Sequence, residues 1–299
     1  ASWNGGQKIR AALKTLAANS VPGYETPEEA VKAYVNMHWY QRNRELLYAT
    51  PAELPVWETL QMDITDFFKK MMRENKHLKD IIKKAIEEGR TILNEDESKA
   101  FLAAYWIPTT IPSITHDTEG ALIAARKIGY PVVIKIVSPD ITHKTDVGGV
   151  TVGINSDEQL RQAYEHMMTT VRARAPEAVI EGIAVQKMVE DIDYEVILGS
   201  KKDKDFGSVI LFGMGGITAE LIKDFSIGFP PLNRSLARRL MEETRAYKLI
   251  KGWRGKTPAN LDELETILVL FSYLITGFPE IAEIDINPLA ISLGKACAI

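Results

Sequence analysis

The stretch from Tyr130 to Val137, reading YPVVIKIV, constrains this chain more than any other. It is β-branched and apolar and follows Gly129 directly, which predicts a buried strand with Lys135 set into it. A buried ammonium needs an anionic partner. That partner is either the phosphate of a ligand or a carboxylate of the chain itself. Beyond a polar loop, Asp146-Val-Gly148-Gly149-Val150 supplies a turn, and Thr151-Val-Gly-Ile154 resumes the β pattern. The result reads as a hairpin whose glycines either lie over a phosphate chain or serve only as its turn. His143 stands in that loop between Thr142 and Lys144, where an imidazole can act as nucleophile, base or metal ligand near neutral pH. The other histidines, His38, His77, His116 and His166, have no companion motif, and no pair has the H-x-x-x-H spacing of a zinc site.

Helix and strand signals alternate around this hairpin, which favours an α/β architecture. Asp117 caps a helix that runs to Ile128 and stops at Gly129. Asn94 with Glu97, and Ser156 with Gln159, have capping-box spacing. Residues 60–75 and 78–88 read as two further helices, the second ended by Gly89, and strands are expected over 180–188, 194–199 and 208–212. Ahead of them lie amphipathic patterns over 7–18 and 27–47, the second started by Thr26 before Pro27-Glu28-Glu29. Residues 49–56, with Pro51 and Pro55, read as a linker. This leading part has too few strands for a complete α/β domain. It also opens without Met, so the chain is expected to be a cut from a longer one.

The 299 residues are 45% hydrophobic and 25% charged, with a net charge of -4. The length allows more than one domain. Lys and Arg are scattered, so the basic footprint of a nucleic-acid binder is missing. The single cysteine, Cys297, excludes an internal disulfide and fits a reducing cytoplasm, where the protein is expected. It reads as a packing residue. No signal peptide and no bilayer-long apolar run is present, so no membrane partner is expected.

Two further motifs bear on chemistry. Gly213-Met-Gly215-Gly216-Ile-Thr218-Ala219-Glu220 puts a glycine loop between strand and helix signals, where backbone N–H groups can face an anion. It departs from G-x-G-x-x-G at Thr218. Gly255-Lys256-Thr257 ends like a Walker A motif, but Ile250 stands where its first glycine belongs and Pro258 follows, so it is no P-loop. Arg254 nearby either contacts phosphate or is an exposed helix-end arginine. In Glu283-Ile-Asp285-Ile-Asn287-Pro288, strand period puts Glu283, Asp285 and Asn287 on one face, and Pro288 is expected to end the run. Three oxygen donors on one face suit Mg²⁺, and a solvated strand face is the alternative.

These segments, in this order, resemble the ATP-grasp part of the NDP-forming (ADP-forming) acyl-CoA synthetases, the acetate–CoA ligase family, relatives of the succinyl-CoA synthetase beta subunit. GYPVVIKIVSPDITHKTDVGGV, AVQKMVE, YEVILGSKKDKDFGSVILFGMGGITAEL, FPPLN, KGWRG and EIDINPLA carry the resemblance over about residues 78–299. VPGYETPEEAVKAYVNMHWYQRNRELLYATP is similar to the tail of the family's CoA-ligase domain. The resemblance implies an α/β (α+β) ATP-grasp fold of two subdomains, about 78–185 and 186–299. A helical remnant of a flavodoxin-like CoA-ligase domain over 1–50 and a linker over 51–77 would precede it.

By the same resemblance the cofactors are ATP/ADP and Mg²⁺. Lys135 would hold phosphates and the loop at Gly148 and Gly149 would cover them. Gln186, Lys187, Met188 and Glu190 match the hinge that receives adenine and ribose. Glu195, Gly215, Gly216 and Arg254 would complete the nucleotide site, and Asp285 and Asn287 match an acidic-x-Asn pair near Mg²⁺. His143 matches the histidine that relays phosphoryl groups between nucleotide and a distant acyl-phosphate site. The partner implied is a CoA-binding domain or subunit carrying a second histidine. The implied reaction is that of a ligase forming carbon–sulfur bonds, acyl-CoA + ADP + phosphate giving carboxylic acid + CoA + ATP. In the family a further metal-binding aspartate lies beyond the point matching Ile299, so this stretch alone is expected to bind nucleotide weakly and to lack full activity. Tyr194 before Glu195, where glycine is frequent, and Lys204, where proline is usual, depart from the family pattern. Two other readings are a catalytically silent regulatory domain of a fused protein lysine acetyltransferase and an ATP-grasp ligase of another specificity.

Overall fold

The computed structural model describes residues 7–24, 26–48, 63–141, 143–216 and 224–299. The chain divides into two compact units, Ala1–Ala52 and Glu53–Ile299. In the first, α1 (Gln7–Ala18) and α2 (Pro27–Tyr48) are the two expected helices. Thr26 caps α2, its hydroxyl accepting the Glu29 N–H at 3.2 Å.

The second unit opens with α3 (Ile64–Glu87), capped by Asp63. The two helices expected over 60–75 and 78–88 are one. No glycine or proline stands between Asn75 and Leu78, and the Asn75 side chain accepts the Tyr105 hydroxyl at 2.9 Å instead of capping a new start. Next comes α4 (Glu95–Ala104), where Asn94 and Glu97 form a reciprocal capping box.

A four-stranded sheet follows, built from β1 (Ser113–Thr115), β2 (Val132–Val137), β3 (Val150–Ile154) and β4 (Gly182–Lys187) in the order β1-β4-β2-β3. Helices α5 (Thr118–Ile128) and α6 (Asp157–Arg174) pack on it. They bury Leu122, Leu160 and Met167 against Ile134, Ile136 and Val185. Asp117 caps α5 and Gly129 closes it at φ 84°, as expected. Ser156 caps α6, but Gln159 returns its side chain to the Asn155 N–H, one residue short of a full capping box.

The second sheet has the order β7-β6-β5-β8-β9. Its strands are β5 (Ile192–Asp203), β6 (Gly207–Met214), β7 (Phe225–Gly228), β8 (Glu283–Ser292) and β9 (Lys295–Ala298). Helices α7 (Arg234–Glu242), α8 (Ala246–Ile250) and α9 (Leu261–Gly277) pack with it. The core joins Phe212, Val196 and Leu289 to Leu240, Phe271 and Leu274. Every strand pair in both sheets is antiparallel, so the mixture of helix and strand takes the α+β form.

Pro288 does not end its strand. The register of β8 against β5 shifts between Val196 and Leu198, and pairing resumes at Leu289 with Val196. A proline has no N–H to give a ladder. The local irregularity takes the strand past it.

Candidate active site

Lys135 lies on β2 opposite Val150 and Ala184, partly buried as its apolar setting requires. Its ammonium is 2.8 Å from Glu95 Oε1, so the partner demanded by burial is a carboxylate of the chain. Glu95 opens α4 and is shared. Lys99 Nζ reaches the same oxygen at 2.9 Å and Lys144 Nζ reaches Oε2 at 3.3 Å. Three ammonium groups thus converge on one carboxylate, leaving a local surplus of positive charge. Burial pushes the Glu95 carboxyl up, but Lys135 and Lys99 more than offset this and hold it at about 2. The Lys99 ammonium is pushed down, by burial first and by Lys135 as well, against the opposing pull of Glu95.

Sequence reasoning missed Glu95, Lys99 and Lys144. The i,i+4 spacing of Glu95 and Lys99 is visible in the sequence. Their meeting with a lysine 40 residues away is a tertiary fact. Lys99 also donates to Thr110 Oγ1 at 3.0 Å and Gln186 Oε1 at 2.9 Å. The Gln186 side chain is therefore buried and turned towards the lysines. Lys187 faces out at the end of β4, and its Nζ holds the carbonyls of Gly129 and Tyr130 at 3.0 and 2.9 Å. Met188 N–H donates to Pro131 O, and the exposed Glu190 offers its carbonyl to Ser292 Oγ at 2.6 Å.

His143 is exposed in the loop between β2 and β3, next to Lys144, and Thr142 lies outside the described residues. The loop is folded on itself. Gly148 N–H donates to Thr145 O at 3.1 Å and Gly149 N–H to Lys144 O at 2.7 Å. Those amides are engaged within the turn. Both glycines have a steric reason: a Cβ on Gly149 would lie 2.5 Å from Ile136 Cγ2, and Gly148 sits at φ 76° with Thr170 Cγ2 2.9 Å from such an atom.

A second group lies on the five-stranded sheet. Gly215 N–H donates to Glu195 O at 2.9 Å, and Gly216 N–H to Asn287 Oδ1 at 3.3 Å. The Glu195 carboxylate fills the space where a Gly216 side chain would begin. The glycine loop, Glu195 and Asn287 are thus brought together, while residues 217–223, including Thr218, lie outside the described ones. Glu283, Asp285 and Asn287 share the exposed face of β8 as strand period predicts. Although Asp285 is exposed, the sheet around it partly desolvates its carboxyl and pushes it up, and Glu283 adds to the effect.

An acid held up in that way, beside an amide oxygen oriented by a backbone N–H, suits a hard divalent cation. Among the described residues no group of three His, Cys, Asp or Glu is placed to hold a metal. Among the described residues no hydrogen bond or ion pair joins this group to the lysines. Arg254 belongs to neither: it is exposed at φ 51°, its guanidinium 5.7 Å from the centre of the Trp253 ring. Cys297 pairs with Ala290, and burial pushes its thiol up, which fits packing over nucleophilic chemistry. No described helix is long and apolar enough to cross a membrane.

Comparison with known proteins gives this geometry a family. Residues 84–299 match the ATP-grasp domain model. The chain is 34% identical over 287 residues to an ADP-forming acetate–CoA ligase I of Archaeoglobus fulgidus, covering 96% of this chain but 39% of that one. It is 38% identical over 221 residues to the beta subunit of an ADP-forming acetate–CoA ligase I of Pyrococcus furiosus, covering 74% of this chain and 94% of the subunit. The fold matches a dinucleotide-forming acetyl-coenzyme A synthetase 1 of Ca. Korarchaeum cryptofilum, solved with coenzyme A, Ca-AMPCP and HgCl+. That match has a TM-score of 0.70 and 38% identity over 74% of this chain and 96% of the other. Another form of that enzyme, at TM-score 0.66, 34% identity and the same coverage, holds coenzyme A and Mg-AMPPCP with a phosphohistidine segment pointing towards the nucleotide site. The chain belongs to the ADP-forming acetate–CoA ligase family, as its beta-subunit-like ATP-grasp part.

Proposed function

We propose that this chain is the nucleotide-handling part of an ADP-forming acyl-CoA ligase, acyl-CoA + ADP + phosphate giving carboxylic acid + CoA + ATP, reversibly. The observation that carries this is the lysine cluster beside the histidine loop. Lys135 and Lys144 offer positive charge where nucleotide phosphate would lie, and His143 immediately precedes Lys144 in the loop between β2 and β3. In the direction of ATP use, a neutral His143 nitrogen attacks the γ-phosphorus. The N–P bond forms as the bond to the β,γ-bridging oxygen breaks, and ADP leaves with that electron pair. The lysines stabilise charge on the transferring oxygens. Asp285 and Asn287 would hold Mg²⁺, which supplies further neutralisation of the phosphates. Glu195, Gly215 and Gly216 would shape the wall beside it, and Lys187, Met188 and Glu190 the hinge for adenine and ribose.

The partner proposed is a CoA-binding domain or subunit carrying a second histidine, in keeping with the beta-subunit standing of the Pyrococcus relative. The relatives reported above are ligases, which favours turnover over a silent regulatory role. Two outcomes test the reading. In the complete protein with Mg²⁺, γ-labelled ATP is expected to put acid-labile label on His143 and to leave His143→Ala unlabelled; equal labelling of both would remove His143 from the relay. Lys135→Ala is expected to weaken ATP binding by about 30-fold, the scale of one lost charged hydrogen bond of about 2 kcal/mol, with adenosine affinity unchanged. Calorimetric titration with the two ligands reads that split.

A further inference from the structure

We propose that Glu95 is a built-in counter-anion of the phosphate site, competing with nucleotide phosphate for the ammonium groups of Lys135 and Lys144. The inference rests on the reading of Lys135 as a phosphate ligand and goes beyond it by giving Glu95 a role in setting nucleotide affinity.

The three lysines are not equivalent. Lys99 is the most enclosed, its side chain 8% exposed, and is anchored on Thr110 and Gln186 as well as on Glu95. The ammonium groups of Lys135 and Lys144, whose side chains are 17% and 24% exposed, have Glu95 as their only hydrogen-bonding or ion-pair partner among the described residues. If Glu95 is given up, Lys99 keeps two partners, while the other two turn to whatever anion is at hand. A carboxylate carries one negative charge and a nucleotide tail carries several, so phosphate wins when it is present, at an affinity reduced by the ion pairs it must displace.

The consequence runs against the usual effect of deleting a charged residue in a site. Glu95→Gln keeps the shape, removes the competitor and leaves the cluster more positive by one charge. The whole chain carrying Glu95→Gln is expected to bind ATP and inorganic tripolyphosphate about tenfold tighter than the unaltered chain, the scale of a unit charge a few ångströms away in a partly solvated site. Adenosine affinity is expected to stay the same. Glu95→Asp is the second variant. It keeps a negative charge at the start of α4 but withdraws the carboxylate from Lys135 and Lys144, and is expected to tighten binding by a smaller factor even if the Gln variant fails to fold.

Equal or weaker tripolyphosphate binding in the folded variants overturns the proposal and leaves Glu95 as a scaffold for the lysines. Lys135→Ala is measured alongside. If it loses tripolyphosphate affinity while the Glu95 variants gain none, the phosphate site stands and the counter-anion role fails. If it loses nothing, the phosphate-site reading itself fails, and this proposal with it.

Discussion

Glu95→Gln is expected to lower the stability of the second unit by on the order of 3 kcal/mol at pH 7, and most of that gap is expected to vanish in acid. The carboxyl is held at about 2 against an ordinary 4.5. A group whose folded pKa is depressed contributes stability that is complete above the unfolded value and disappears as pH falls through the folded one. Between about pH 4.5 and 2 the unfolded chain takes up a proton that the folded chain refuses, so the unaltered protein loses ground there and the Gln variant does not. By this linkage less than half of the contribution is left at pH 3. Urea unfolding of both proteins at pH 7 and pH 3 reads the two gaps. A difference that stayed constant would mean that Glu95 acts through shape or helix capping and not through its charge. The same variant is expected to bind tripolyphosphate more tightly. Opposite signs for stability and affinity are what a built-in competitor requires, since the ion pairs that hold the site together are those that phosphate must break.

Much of this cluster's setting is legible in the sequence, and the cluster itself is not. The buried strand, its lysine and the demand for an anion all follow from YPVVIKIV, because burial of an ammonium is a local fact of composition. The caps at Asn94, Asp117 and Ser156 follow from side chains reaching three residues along the chain. So does the outward face of β8, which needs only the strand period. What the sequence leaves open is which anion answers Lys135. Glu95 looks there like a first-turn acid suited to its helix dipole, and only the sheet's approach to the start of α4 turns it into a hub. The break expected between 75 and 78 failed for a related reason. Asn75 is a poor interior helix residue by propensity, but its amide is engaged by Tyr105 from α4's end, and that tertiary contact keeps α3 whole. Pro288 likewise stops a strand only where its neighbour holds strict register, and the β5–β8 ladder shifts register there.

The glycine motif of β6 raises the question of packing against function most directly. Gly213→Ala and Gly215→Ala are each expected to destabilise the second unit by about 3 kcal/mol or more, at or above the upper end for overpacking, because the obstruction is backbone. A Cβ on Gly215 would lie 2.6, 2.8 and 2.9 Å from the carbonyl carbon, oxygen and nitrogen of Val196. On Gly213 it would meet the Asp224 carbonyl oxygen and, at 2.9 Å, Phe225 Cα, the residue with which Gly213 pairs in the ladder. Neither neighbour is a flexible side-chain end that can swing aside. Relief would require β5 and β7 to separate from β6, which would pull apart the sheet carrying Asp285 and Asn287. Gly207→Ala is the control. That turn glycine has nothing within 4 Å of its would-be Cβ and only a φ of 75° to strain, so its cost is expected to be about 1 kcal/mol. Thermal unfolding of the three variants ranks them. If Gly215→Ala were as mild as Gly207→Ala, the close approach to Val196 would not be what demands glycine there, and backbone access for a phosphate would become the stronger explanation of the motif.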